Sequence, residues 1–356
     1  MEIIIAKLTV DLCKIKQLIK NKREILGGNT KVCAVVKANA YGLGIEKISQ
    51  YILPYVDYYA VARIDELISL KKAHIYKPIL ILSPLIFDYD IIKSLKFDAE
   101  LTVDNISLLE KINHCAKKLN KKAKIHIKID TGMNRYGLKN KKDFSSLLEK
   151  ARELYNIKIV GVYSHFACND CPEIVEKQIK IFDEYKKICS NHKISPLYHI
   201  SSSFHSSEKA FSLGMVRLGI CLYEIDSGIS LSGEILEIKQ LNPDESLGYG
   251  FTFTATKLTR VACINIGYGD ISIRKLSNKG QVIINGKKCN IIGNVCMDCL
   301  FADVTNVKAS KGDIAILFGN SGQCCLSVCE VASKCDTISY EILTSISSRV
   351  KREYKV

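Results

Sequence analysis

The sequence predicts an α/β fold: a (β/α)8 TIM barrel over residues 1–230, followed by a C-terminal, mainly β domain over 231–356. Three observations predict it. Short apolar, β-branched runs recur eight times in the first two-thirds of the chain, with amphipathic helical patterns between most of them. A polar residue ends or follows nearly every run, as expected where a barrel gathers its active-site groups at the C-terminal strand ends. After about residue 230 the helical periods give way to short alternating runs punctuated by Gly, Asn and Asp, the pattern of antiparallel sheet.

Taken in order, the opening MEIIIAKLTVDLCK reads as a strand. The eight barrel runs are VCAVVKA (32–38), YYAVAR (58–63), PILILS (78–83), AELTV (99–103), KIHIKID (124–130), KIVGVYSHF (158–166), LYHISSS (197–203) and MVRLGICLY (215–223). Helical patterns lie at IEKISQYIL (45–53), NISLLEKINHCAKKL (105–119), DFSSLLEKARELY (143–155) and VEKQIKIFDEYKKICS (175–190). The polar strand-end residues are Lys37, Arg63, Ser83, Asp104, Asp130, His165, Ser203 and Arg217. The second domain contributes GEILEIKQL, FTFTATKL, RVACINIGYG, GQVIINGKKCNIIG and DIAILFG, and SYEILTSISSRVKREY reads as a closing helix.

A chain of 356 residues is long for one core, which favours two domains. The net charge of +14 comes from 51 basic against 37 acidic residues, and the lysines are scattered in pairs such as Lys71-Lys72, Lys117-Lys118 and Lys121-Lys122. That is a solvated surface, without the basic stripe and interleaved aromatics of a nucleic-acid binder. No uncharged apolar run approaches a membrane span, and the N-terminus has neither a basic n-region nor a small-residue cleavage site, so the expectation is a cytoplasmic protein. The fifteen cysteines are odd in number, spread widely, and often replace small apolar residues, as in Cys33, Cys221 and Cys263. Free buried thiols in a reducing compartment fit that distribution. Two CxxC pairs, Cys168–Cys171 and Cys296–Cys299, lack a nearby Cys/His knuckle pattern, so no metal is expected.

The most informative segment is VVKANAYGLG (35–44). A lysine at the end of a buried strand is desolvated, which lowers its pKa and leaves a nucleophilic amine able to condense with an aldehyde. The glycines allow close approach to a compact group such as a phosphate, and Tyr41 can donate a phenolic hydrogen bond to it. From these residues alone, a lysine that snorkels to solvent accounts equally for the segment, and does so more economically. The rest of the chain reverses that preference.

IKIDTGMNRYG (127–137), YSHFA (163–167), HISSS (199–203), MVRLGICLYE (215–224), IGYGD (266–270), NVCMD (294–298) and ISYEIL (338–343) follow VVKANAYGLG in a fixed order. In this ordered set, from the N-terminal strand to nearly the last residue, the chain resembles the alanine racemases, pyridoxal-phosphate enzymes of fold type III. The resemblance implies an isomerase that interconverts L- and D-alanine, supplies D-alanine for peptidoglycan, and works as a cytoplasmic homodimer with shared active sites.

The resemblance also implies roles. Lys37 would hold pyridoxal 5'-phosphate and act as one catalytic base, and Tyr268 would be the other, reaching the opposite face of the substrate from the second subunit. Two bases on opposite faces suit inversion of a carbon. Arg217 would contact the pyridine nitrogen. As a permanent donor it leaves the ring a weaker electron sink than a carboxylic acid partner would, which should limit transamination. His165 would lie beneath the ring and support Arg217. Arg135 would pair with the substrate carboxylate through its planar fork. Tyr41, Ser203, Gly219, Ile220 and Tyr340 would surround the phosphate. Met297 and Asp298 would complete the substrate mouth from the partner, and Lys128 occupies a position that some members carbamylate. Read without the family, Tyr268 is a packed turn tyrosine, Arg135 a surface arginine after a turn, and His165 a hydrogen-bonded core histidine.

Five positions depart from the usual pattern: Leu43 for histidine, Ser202 for asparagine, Leu218 for proline, Ile271 for glycine and Asn294 for arginine. HISSS also resembles the serine racemases of this fold, so a serine or broad small-amino-acid racemase is the near alternative. A fold-type III decarboxylase and a non-catalytic pyridoxal-phosphate homeostasis protein are further ones. The first usually lacks the tyrosine base in an IGYGD context, and the second lacks a β domain.

Overall fold

The computed structural model describes residues 6–168, 170–200, 213–223 and 228–356. It divides into two compact units. The chain enters with β1 (Lys7–Asp11), a strand of the β unit, and a helix over Leu12–Leu26.

The barrel unit spans Lys16–Ala40 and Ile45–Cys221. Its eight strands are β2 (Lys31–Val35), β3 (Tyr58–Val61), β4 (Ile79–Ile81), β5 (Glu100–Val103), β6 (Ala123–Lys128), β7 (Ile157–Tyr163), β8 (Leu197–His199) and β9 (Met215–Leu218). All pair in parallel, in the order β8-β7-β6-β5-β4-β3-β2-β9, and β8 lies against β9, so the barrel is nearly closed. Each coincides with one of the eight expected runs. β3, β4, β5 and β9 are buried along their whole length, because parallel strands are covered on both faces.

The helices form as their apolar spacing dictates. Ile45–Ile52 buries Ile45, Ile48, Ser49 and Ile52 along one stripe. Ile106–Lys118 buries Leu108, Leu109, Ile112, Cys115 and Ala116, and the Asn105 side chain caps it by accepting from the Leu108 N–H. Lys141–Glu153 is capped likewise by Asn140, and Pro172 sits in the first turn of Pro172–Asn191.

Strand alternation sends every second residue into the barrel. One side of the interior is apolar: Cys33, Val35, Tyr58, Ala60, Leu80 and Met215 cluster, with Leu82 and Leu197 against them. The other side carries Glu100, Thr102, His126, Lys128, Tyr163, His199 and Arg217, all buried.

The β unit comprises the segment through Ile15, Tyr41–Gly44 and Leu222–Val356. Its strands are β10 (Ile229–Leu241), β11 (Ser246–Leu247), β12 (Phe253–Thr254), β13 (Thr259–Ile264), β14 (Gln281–Ile284), β15 (Lys287–Asn290), β16 (Leu300–Asp303), β17 (Ile314–Ser321), β18 (Cys324–Leu326) and β19 (Lys351–Lys355). They pair antiparallel except at β1, which runs antiparallel to β10 and parallel to β19.

The β unit also takes in the start of the chain, because β1 has its backbone partners in β10 and β19. Gly42 and Leu43 carbonyls likewise accept from Arg352 Nε and Tyr354 Oη, both at 2.9 Å. Two expectations need correction. The closing helix is short, Ser339–Thr344, and the chain then extends into β19. Finally, Cys168 and Cys171 form a disulfide across a Cα separation of 5.6 Å, an ordinary span, while the other thirteen cysteines are in no disulfide. Thiols joined to each other cannot ligate zinc, and among the described residues no cluster suits a metal ion.

Candidate active site

The turn after β2 departs from every regular conformation. Ala38, Asn39, Ala40 and Tyr41 have φ of 51°, 57°, 51° and 56°, a left-handed run without a glycine. Each such residue costs about 1–2 kcal/mol, so the run must be held from outside. Glu66 holds it. Its Oε1 accepts from the Ala38 N–H at 2.5 Å, while Oε2 accepts from the Ala62 and Arg63 N–H groups at 2.7 and 3.0 Å. Asn39 Oδ1 accepts from the Ile45 N–H at 2.9 Å. Lys37, half-buried at the head of this turn, has its pKa lowered by burial and then by the Arg135 charge, with Glu66 opposing.

Three more cations gather at the ends of β6 and β9. Lys128 is buried, donates to the Ile129 carbonyl at 2.9 Å, and lies over the Tyr136 and Tyr163 rings. Burial, Arg217 and Arg135 bring its pKa down to about 7. Arg135 is exposed and stacks on Tyr136 at 5.0 Å. Asp130 shapes the intervening turn by accepting from the Gly132 and Asn134 N–H groups.

Arg217 is buried and almost fully committed. Nη1 donates to His199 Nδ1 and, at 3.2 Å, to the His199 carbonyl. Nη2 donates to the Ser164 carbonyl at 2.8 Å, the Ile200 carbonyl at 3.2 Å and His165 Nδ1 at 3.3 Å. Of the five guanidinium N–H bonds, only Nε–H has no partner among the described residues. Burial and the cations Arg217, Lys128, Arg135 and Lys37 hold His165 neutral, with its pKa down to about 3. Gln178 fixes the His165 backbone. Its Nε2 donates to the His165 carbonyl and to Thr131, and its Oε1 accepts from the Ala167 N–H.

Gly219 and Ile220 follow β9, where Ile220 starts a short buried turn. Ser202 and Ser203 lie outside the described residues.

Within the β unit, Tyr41 meets Tyr223 and Tyr340, with ring centroids 5.2 and 6.0 Å away. Tyr268, Met297 and Asp298 are brought together by two tightly apposed loops. Tyr268 and Gly269 N–H groups donate to the Cys296 and Met297 carbonyls at 2.9 Å, and a Cβ on Gly267 would come within 2.1 Å of the Met297 carbonyl oxygen. Arg349 bridges the loops, pairing with buried Asp270 at 3.3 Å and with Asp298 at 2.7 Å. Tyr268 and Met297 nevertheless remain exposed, at 39% and 52%.

The structure thus brings together Lys37, Lys128, Arg135, His165 and Arg217 in one unit, and Tyr268, Met297 and Asp298 in the other. The departures Leu43, Leu218 and Ile271 are buried apolar residues, and Asn294 Nδ2 donates to the Tyr249 carbonyl at 2.8 Å. Sequence reasoning missed Glu66, Gln178 and Arg349. Only Glu66 left a signal, as the third residue of a helix that starts just after a polar strand end.

Fold and site define a barrel enzyme with a cationic cluster at its strand ends, followed in the chain by a β unit. Residues 10–227 match the alanine racemase N-terminal domain and residues 229–354 the C-terminal domain. The alanine racemase of Methanococcus maripaludis is 35% identical, with 97% of each chain covered. A solved alanine racemase from Clostridium difficile 630 superposes with a TM-score of 0.92 at 30% identity, covering 100% of this chain and 97% of that one. Another, from Bartonella henselae with covalently bound pyridoxal phosphate, does so at 0.88 and 27%, covering 99% and 100%. The chain belongs to the alanine racemase family.

Proposed function

We propose that the protein interconverts L- and D-alanine with pyridoxal phosphate bound through Lys37, acting in the cytoplasm to supply D-alanine for cell-wall peptidoglycan. Lys37 carries this reading: a strand-end lysine whose burial and neighbouring arginine favour the neutral, nucleophilic amine. No helix among the described residues is long and apolar enough to cross a membrane.

The donor set fits the cofactor. Arg217 has one N–H left over, suited to an unprotonated ring nitrogen, and a buried neutral His165 gives a ring an uncharged neighbour. Tyr41 and Tyr340 hydroxyls, Ser203, and the Gly219 and Ile220 backbone would hold the phosphate. When bound, pyridoxal phosphate supplies an electron sink that acidifies the amino acid's Cα–H.

The chain's own residues would do the rest. Arg135 would fork onto the substrate carboxylate. Lys37 Nζ would remove or return the α-proton on one face and Tyr268 Oη on the other, so that inversion follows from which base takes the proton and which gives it back. Lys128, poised near neutrality beside Arg135, could accept carbon dioxide as a carbamate and so hold the guanidinium with a negative charge. Tyr268, Met297 and Asp298 would serve the site of a second copy. The loop pair that carries them is exposed together with Tyr249 and Phe251, at 74% and 72%, an apolar surface suited to burial in a homodimer.

Chiral chromatography of the pyridoxal-phosphate-loaded protein with single enantiomers of alanine, serine and other small amino acids tests the activity. Turnover of serine in preference to alanine overturns the substrate assignment. Borohydride reduction and peptide mapping should find the cofactor on Lys37. Mixing Lys37→Ala with Tyr268→Ala protein should restore roughly a quarter of wild-type activity after random exchange, since half the pairs regain one of two sites. No recovery in proven heterodimers overturns the shared site.

A further inference from the structure

Arg217 is the first member of a buried chain that crosses the polar side of the barrel. Its Nη1 donates to His199 Nδ1. His199 Nε2 meets His126 Nδ1 at 2.9 Å, and His126 Nε2 meets Glu100 Oε2 at 2.7 Å. All four side chains are buried.

The direction of the chain follows from chemistry alone. Arginine only donates, so His199 Nδ1 must accept and the His199 ring proton sits on Nε2. His126 Nδ1 must then accept as well, which makes His126 a neutral imidazole with its proton on Nε2. That proton points at Glu100, which has to accept. No other arrangement satisfies every contact, because a protonated His126 would leave His199 without any ring proton.

The barrel is shaped around this chain. Gly161 stands opposite His126 in the ladder, and a Cβ there would lie 1.9 Å from His126 Nδ1. Tyr163 stacks on His199 at 4.8 Å and lies beneath the Arg217 guanidinium at 5.3 Å. A carboxylate three hydrogen bonds away from a guanidinium is costly to bury unless its charge is used.

We propose that Glu100 and His126 are positioning residues for Arg217: the glutamate's fixed negative end orients both imidazoles, pins Nη1, and so aims the remaining Nε–H at the ligand. This rests on the reading that Arg217 faces the ring nitrogen of pyridoxal phosphate. Neither residue touches the reacting atoms. Their effect is on the donor strength and aim of a group that does.

The test uses the cofactor-loaded protein. Long-range 15N–1H NMR of histidine-labelled wild type should show both His126 and His199 as neutral, Nε2-protonated rings. Glu100→Gln keeps shape and a hydrogen-bonding oxygen but removes the charge. It should shift the visible band of the bound cofactor and lower kcat about tenfold, the lower end of what loss of an outer orienting partner costs, with KM for alanine within about twofold and the melting temperature unchanged. A purely structural role for Glu100 would be preserved in this variant. An Nδ1-protonated or doubly protonated ring in the wild type overturns the chain, whether or not Glu100→Gln folds. A wild-type band and kcat in Glu100→Gln overturn its positioning role. If Arg217→Ala also leaves the cofactor band unmoved, it is the placement of Arg217 that fails.

Discussion

The two sides of the barrel interior are built on opposite principles. On the side of β2–β4, Cys33, Val35, Tyr58, Ala60, Leu80 and Met215 fill space by volume, and burial pushes the Cys33 thiol up to about 12, so it stays neutral and inert. On the side of β5–β7, directed hydrogen bonds replace volume. Thr102 Oγ1 lies 2.7 Å from the Ile81 carbonyl and 2.8 Å from Tyr163 Oη, and both terminal nitrogens of Arg217 are matched by acceptors. β8 and β9 contribute one residue to each side. The lesson is a division of labour: the apolar side holds the barrel closed, and the polar side spends stability to keep cations aimed at the strand ends.

The largest expected effect separates function from stability. Lys37→Ala should lower racemisation by about 10²–10⁴-fold or more, the range of a lost general base, and abolish covalent cofactor attachment. Thermal unfolding without cofactor should barely change, since a half-buried cation among cations is lost. A large drop in melting temperature would place Lys37 among the groups that hold the fold.

Leu80→Ala probes the other side and should do the reverse. Truncation of a fully buried leucine costs about 2–5 kcal/mol of stability. The variant's kcat, measured on the folded fraction at low temperature, should stay near wild type. A loss of kcat larger than the loss of folded protein would show that the two sides are mechanically coupled.

The smallest effect measures what the polar side costs. Lys128 has a folded pKa of about 7, below its unfolded value, so between about pH 7 and 10 the unfolded chain binds more protons. The penalty is therefore full below pH 7 and fades as pH rises through that window. Lys128→Met should be more stable than wild type at pH 6, by on the order of a few kcal/mol, with the gap closing toward pH 10. Denaturant melts of both proteins across pH check this. A constant gap would mean that Lys128 is not buried as a cation.

Much of this was legible in the sequence. The eight barrel strands were, because β-branched runs between amphipathic helices leave few alternatives, and Lys37, Arg217 and His165 stood out as polar residues at strand ends. Glu100 and His126 were not. Both faces of a parallel strand are buried, so alternation in AELTV or KIHIKID does not tell which face looks inward. The tail SSRVKREY carries helix-forming residues, but its partner β1 lies more than 300 positions away, and that pairing decides the conformation. The left-handed turn was hidden because no glycine marks Ala38 to Tyr41.

That turn sets the order in which the enzyme can become reactive. One short hydrogen-bonded turn does not offset the cost of four left-handed residues, so a peptide of this length in water should show no such conformation by NMR. The brace, Glu66, arrives on the next βα repeat and bonds only after β3 has docked beside β2. Lys37 is an ordinary, protonated, flexible lysine in the nascent chain, and it acquires its geometry and its altered acidity in one event, when the barrel assembles around it. A partly folded copy therefore carries Lys37 without the geometry and the lowered pKa that the folded barrel imposes.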